Sequence, residues 1–295
     1  MGKKNWLMLI ALSIIWGGSY FFTKYALQAF SPVFIVFVRV TLGALVLLPF
    51  TLKTGKQYLL DRKNWPYFLI LGALNNVIPF SLIAWSQTRI SGSLASIINA
   101  TTPFFTALIA HYVTSDEKLT TSKVFGIALG FFGVVVLIGF NVLKTISMTN
   151  LGELAALIAA VSYACAGIFG RRFKGMPSVA VANAQLIASA IIAAPLIAFE
   201  RGALIIADPG WMSLLAISVM AILSTGVAYI LYFRILSSSG ATNVLLVTLL
   251  VPVSAIILNT TISGEVLPLK AFLGMVFIAL GLLMIDRRIL GLVRK

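Results

Sequence analysis

Asparagines, tyrosines, threonines and prolines recur at helical spacing inside long apolar runs of this sequence. Ser13, Trp16, Gly17, Tyr20 and Lys24 share one helical face. Ala156, Ala160, Tyr163, Gly167 and Gly170 share another, with Trp16 and Tyr163 at matching depths. Asn75, Asn76, Pro79 and Ser86 make a third stripe, and Gly92, Ser96, Asn99, Pro103 and Thr106 a fourth. Ser218, Ala221, Thr225 and Tyr229 follow, then Asn243, Thr248, Pro252 and Ser254. Amides carry both donors and acceptors, and a proline inside a helix frees a backbone carbonyl. The chemistry on offer is recognition by hydrogen bonds and aromatic faces. Bond-making chemistry is poorly supplied: there is one cysteine, Cys165, one histidine, His111, and eight acidic residues that fall at the ends of apolar runs or between them. These leave little from which to build a nucleophile with its base or a set of metal ligands. No enzyme, metal site or cofactor is expected.

Each stripe also has a plainer reading. Trp16 and Tyr163 lie too deep for an interfacial belt, so they either pack in a core or line a pathway. Asn75, Asn76 and Asn99 either bond to neighbouring helices or face a cavity; for a single Ser or Thr, interhelical bonding is the expected role. Lys24, near one end of its run, can snorkel to water. Arg39 lies about six residues inside its run and must snorkel, stack on an aromatic ring or bond backbone carbonyls.

Such stripes need long helices in an apolar medium. The 295 residues are 60% hydrophobic and 10% charged, against roughly 25% charged in soluble domains, and mean hydropathy is +1.05. About 20 apolar residues cross a bilayer as a helix. Ten such runs follow one another: Asn5 to Ala29, Val33 to Leu52, Trp65 to Trp85, Gly92 to Tyr112, Ser122 to Asn141, Leu151 to Gly170, Ser178 to Phe199, Trp211 to Phe233, Gly240 to Ile262 and Pro268 to Ile285. They leave no room for a separate soluble domain. The first run, behind Lys3 and Lys4, is too long for a signal peptide and lacks a small-residue cleavage site. The period-two alternation of a barrel strand is absent from segments such as FGIALGFFGVVVLIGF. An all-α membrane protein is the fold class these features predict.

A net charge of +14 would point to nucleic acid in a soluble chain, but its distribution points to the bilayer. With the N terminus in the cytoplasm, sixteen of the 22 lysines and arginines fall in inside segments. Five, Lys24, Arg89, Lys144, Arg201 and Lys270, fall at outside ends. That bias satisfies the positive-inside rule, so both termini are expected in the cytoplasm. The inner basic residues meet anionic lipid, and no nucleic-acid partner is expected.

The chain also repeats itself. Gly92 lies 27 residues past Trp65, and Gly240 lies 29 past Trp211; Pro103 follows by 11 and Pro252 by 12; Glu117 follows by 14 and Glu265 by 13. Glu117 to Gly126 and Glu265 to Gly274 are both nine, and Gly126 to Gly133 and Gly274 to Gly281 are both seven. Pro32 and Pro49 are answered more loosely by Pro177 and Pro195. The register predicts two five-helix repeats, residues 1–146 and 147–295. An odd number of crossings inverts the second copy, and inverted repeats recur in secondary transporters, where they surround a central cavity. The glycine segments themselves, GIALGFFG and its partner from Gly274 to Gly281, read as close helix packing, expected within one chain, as in a monomer.

WGGSYFFTKYAL, its spacing to FVRVTLGAL, the proline in NATTPFFTALIAHYV, and SGEVLPLKAFLGMVFIALGLLMI resemble the EamA-type members of the drug/metabolite transporter superfamily. In overall look the chain is closest to the YddG-like amino-acid exporters, and the resemblance covers nearly all of it. It implies a ten-helix carrier of small metabolites in a bacterial inner membrane. It also places a characteristic arginine at Arg39, which favours a structural or gating role there. A cationic ligand would want a buried carboxylate, and none is expected in mid-membrane; an amino acid or other neutral metabolite fits better. The expected substrate cavity is lined by Trp16, Tyr20, Asn75, Asn76, Pro79, Asn99, Pro103, Tyr163, Thr225, Tyr229, Thr248 and Pro252, with Gly17, Lys24 and Arg39 as gating or structural residues. Trp16, Tyr20, Tyr163 and Tyr229 offer walls for apolar or aromatic side chains. Without an embedded acid, facilitative transport is expected rather than obligate proton coupling. A drug or another metabolite is the alternative cargo, and a channel or scramblase-like protein the alternative mechanism.

Overall fold

The computed structural model describes residues 3–114, 119–138, 148–200, 204–239 and 247–285. The principal helices among them are α1 (Lys3–Ala26), α2 (Pro32–Thr54), α3 (Arg62–Ser86), α4 (Gly92–Val113), α5 (Thr121–Ile138), α6 (Met148–Gly170), α7 (Ser178–Phe199), α8 (Trp211–Ile235), α9 (Val247–Thr261) and α10 (Leu269–Ile285). The described residues contain no strand, only an isolated bridge between Phe30 and Ile205. Seven helices, α1 to α4 and α6 to α8, are long and apolar enough to cross a bilayer. The other three predicted crossings coincide with α5, α9 and α10, whose apolar stretches are shorter: Thr121–Val136, Leu250–Thr261 and Leu269–Gly281. The neighbouring stretches 139–147, 240–246 and 286–295 lie outside the described residues, as do the expected markers Glu117, Gly240 and Asn243.

Residue chemistry sets the helix starts. Ser31 is extended ahead of Pro32, and its hydroxyl accepts from Phe34 N at 3.2 Å; proline fits the first turn because the N–H it lacks would have no helical partner. The same hydroxyl donates to Glu200 Oε2 at 2.9 Å. Ser91 caps α4 in the same way, accepting from Leu94 N at 3.2 Å. Glu265 adds a carboxylate there, accepting from Gly92 N and Ser93 N at 3.3 Å and from Ser93 Oγ at 2.8 Å. Negative charge at a helix N-terminus is favourable.

Small residues set the packing. A Cβ added to Gly17 would lie 2.7 Å from Ser254 Cβ and 2.9 Å from Val251 O, so α1 is seated directly on α9. A Cβ on Gly133 would lie 2.7 Å from Gly274 O, and one on Gly281 2.5 Å from Gly126 O. Helices α5 and α10 therefore run antiparallel in backbone contact, within this one chain. Helices α2 and α7 are antiparallel too, with Gly55 against Ala180 at one end and Ser31 bonded to Glu200 at the other. Close backbone approach is the main source of helix association where burial against lipid tails gains little.

The distribution of side chains suits lipid outside. Leu7, Phe125, Phe199 and Leu269 are exposed, whereas Asn76, Asn183, Ser189 and Asn259 have no exposed surface. Three helices are interrupted at depth. Helix α3 passes through a π turn at Ala73–Val77 and α8 through one at Ile222–Val227. Helix α4 breaks between its two segments, Gly92–Asn99 and Thr102–Val113, with Pro103 at the restart. A π turn lets in one extra residue and often marks a functional site.

Candidate functional site

The loosened backbone of α3 presents two adjacent amides. Asn75 Nδ2 donates to Gln185 Oε1 at 3.1 Å and to the Tyr229 hydroxyl at 3.4 Å. That hydroxyl donates to Asn76 Oδ1 at 3.3 Å, while Asn76 Nδ2 donates to Ser189 Oγ at 3.0 Å. One connected network thus joins α3, α7 and α8. Backbone carbonyls at the turn are also engaged: Ser162 Oγ of α6 donates to Leu74 O at 2.7 Å, and Ser189 Oγ lies 3.1 Å from Gly72 O.

The π turn of α8 is held in a comparable manner. Thr225 Oγ1 donates to Met220 O at 3.0 Å, and Ser224 Oγ to Ile15 O of α1 at 3.1 Å. Arg39 on α2 donates from Nε to Thr225 Oγ1 at 2.8 Å. Its guanidinium carbon lies 3.9 Å from the centroid of the Phe80 ring, a cation–π geometry, and Phe80 meets Tyr163 edge-on at 6.5 Å. Tyr163, Tyr229 and Tyr20 stand within electrostatic range of Arg39. Tyr20 in turn faces Asn99, at the end of the first segment of α4.

Of the residues singled out from the sequence, Tyr20, Arg39, Asn75, Asn76, Asn99, Tyr163, Thr225 and Tyr229 come together in this belt. Pro79 is buried at the start of the helix after the first π turn, and Pro252 is buried within α9. Trp16 sits apart, 5.8 Å from the Tyr232 ring in an apolar cluster with Leu12, Ala228 and Ile235. Lys24 Nζ donates to Ser263 O at 3.4 Å, which joins the ends of α1 and α9. Thr248 lies on α9, with its side chain outside the described residues. Arg39 does two of the things its burial required: it stacks and it bonds, the acceptor being a hydroxyl and not a carbonyl.

Gln185, Ser189, Phe80 and Ser162 were not among the expected site residues. A signal for Gln185 exists: it lies 146 residues beyond Arg39, the same interval that separates Pro49 from Pro195 and Trp65 from Trp211. Phe80 carries no such signal, being one apolar residue among many.

Several buried polar atoms lack a hydrogen-bond partner among the described residues: Asn99 Oδ1, Thr41 Oγ1, both amide atoms of Asn183 and of Gln87, Asn259 Oδ1 and Glu153 Oε2. Such orphans are uncommon in folded proteins. Glu153 departs from the sequence picture of acids at solvent-facing helix ends, for it is 5% exposed on α6, with Lys270 in electrostatic range. Ten residues at about 1.5 Å each, some 15 Å, separate it from Tyr163 along α6. A groove lined by Leu74, Ile109, Val113, Cys165, Phe169 and Arg172 opens between α3, α4 and α6 and borders the first π turn at Leu74. No group of three His, Cys, Asp or Glu residues suited to a metal occurs among the described residues.

The model of the EamA-like transporter family matches this chain twice, over residues 4–139 and 150–286. The chain belongs to the EamA-like transporter family. It is therefore a membrane transporter of the drug/metabolite superfamily, and its family does not point to an enzyme. Among family relatives, YoaV, a transporter of Bacillus subtilis (strain 168), is 22% identical over 95% of this chain and 96% of its own. A protein of Escherichia coli (strain K12) named "Probable amino-acid metabolite efflux pump" is 27% identical over 96% of this chain and 94% of its own. YedA, an inner membrane transporter of the same organism, is 26% identical over 88% and 83%. A crystal structure superimposes with a TM-score of 0.68 at 20% identity, covering 98% of this chain and 99% of that one; identity this low speaks for the fold alone.

Proposed function

We propose that this transporter exports small neutral or zwitterionic metabolites, amino acids foremost, by alternating access and down the substrate's own gradient. The observation that carries the reading is the polar belt held between two π turns, one on α3 and one on α8, with no carboxylate in it among the described residues. Ligands are commonly bound near the bilayer midplane at interrupted helices, where freed backbone and side-chain amides replace water. The E. coli relative named for amino-acid metabolite efflux supports the substrate class and the placement beside YddG-like exporters.

Ten crossings in two inverted repeats, 1–146 and 147–295, are the architecture this mechanism needs. The twofold family match supports it. So does the antiparallel packing of helices that would correspond, α2 with α7 and α5 with α10. So does the crossed bracing in which α2 reaches the π turn of α8 through Arg39 while α7 reaches that of α3 through Gln185. The charge bias supports cytoplasmic termini, and the inner-membrane relative supports that location. The glycine seams close within one chain, so a monomer suffices.

The test is counterflow in liposomes preloaded with an unlabelled amino acid. Uptake of the labelled amino acid should be saturable and should persist with the pH gradient abolished. Flux that never saturates would indicate a pore. A second reading, proton-linked export, is favoured by the buried Glu153 with its unpartnered oxygen; transport that stops when the pH gradient alone is removed would select it.

A further inference from the structure

We propose that Arg39 and Asn99 form the two poles of an α-amino-acid site, Arg39 taking the carboxylate and Asn99 the ammonium. The inference rests on the export reading and gives Arg39 a task beyond bracing α8. A guanidinium among membrane helices is costly to hold and is normally paired. Here Nε is used on Thr225 and one face on Phe80, while the two Nη groups have no hydrogen-bond partner among the described residues. The groups in electrostatic range are tyrosines, with no carboxylate among them. Among the described residues a permanent counter-ion is therefore missing from a position where a planar donor fork fits a carboxylate in two bonds.

The opposite pole is built independently. Asn99 Oδ1 is a buried acceptor with no hydrogen-bond partner among the described residues. It closes the helical segment Gly92–Asn99, whose C-terminal end carries partial negative charge. An ammonium would satisfy both. Tyr20 is in range of Arg39 and faces Asn99, so it links the poles. The rings of Phe80, Tyr163 and Tyr229 lie around Arg39 and would offer apolar surface to the substrate side chain.

The experiment is counterflow of labelled phenylalanine in liposomes, challenged with phenylalaninamide, phenethylamine and 3-phenylpropionate. In the wild type, loss of the carboxylate charge should weaken competition on the order of tenfold to a hundredfold, the range for a hydrogen bond to a charged group. Arg39→Gln should abolish the distinction between phenylalanine and its amide, with partial recovery in Arg39→Lys. Asn99→Leu should weaken phenylalanine while leaving 3-phenylpropionate unchanged. The wild-type comparison needs no variant to fold. Phenylalanine counterflow with equal competition by the amide would overturn the site and leave the export reading standing. Absence of counterflow across a panel of amino acids would overturn the export reading and the site with it.

Discussion

The α5–α10 seam and the belt around α3 and α8 are both helix contacts, and they are built by opposite means. In the seam Gly126, Gly133, Gly274 and Gly281 bring backbone onto backbone, with Ser122 Oγ donating to Met284 O at 2.8 Å near one end. In the belt the helices are held by amides, hydroxyls and one guanidinium acting on two unwound turns. A glycine seam has one good geometry, since any shift loses contact everywhere at once. A network of bonds, each about 0.6 kcal/mol in a membrane interior, can be exchanged one by one. We read the seam as scaffold and the belt as the part that rearranges.

The largest effect should come from filling the seam. Gly133→Leu puts a side chain where Gly274 O already stands at 2.7 Å from the Cβ position, and overpacking against rigid backbone costs about 3 kcal/mol or more. The yield of monodisperse protein should fall, with transport per folded molecule unchanged in what remains. A normal melting temperature would break the distinction between seam and belt.

Asn76→Leu should act the other way. It removes the bonds to Ser189 and Tyr229 for about 1–2 kcal/mol of stability, while the counterflow rate falls about tenfold. Ser162→Ala sharpens the contrast at smaller scale. Only the bond to Leu74 O is lost, worth about 0.6 kcal/mol, and the turnover rate should change with half-saturation unaltered. The smallest effect is expected at Glu153, about 15 Å from Tyr163 along α6. Under facilitative transport Glu153→Gln should leave counterflow unchanged at every pH measured.

These two regions were unequally legible in the sequence. Helices were readable because lipid forces backbone groups to bond within the segment, so apolar length alone reports them. The seam was readable from intervals, since glycine at a repeated spacing has little other use. Asn75 and Asn76 stood out as amides in an apolar run. Their partners did not. Thr225 lies 186 residues from Arg39 and Gln185 lies 110 from Asn75, and local pattern carries no information about such pairings. The π turn at Ile222–Val227 contains no proline or amide to announce it. Trp16 shows the limit from the other side: depth within an apolar run does not tell a pathway wall from the apolar cluster with Tyr232 in which it sits.

The central claim is that the belt is reached by water from one side of the membrane and then from the other. Cys165 is the one cysteine, so a Cys165→Ser background permits a single reporter at Ser162→Cys, beside the first π turn. A membrane-impermeant thiol reagent should label that position from either side in separate experiments, with saturating amino acid protecting it. No labelling from either side, or labelling from both that substrate leaves untouched, would contradict the account.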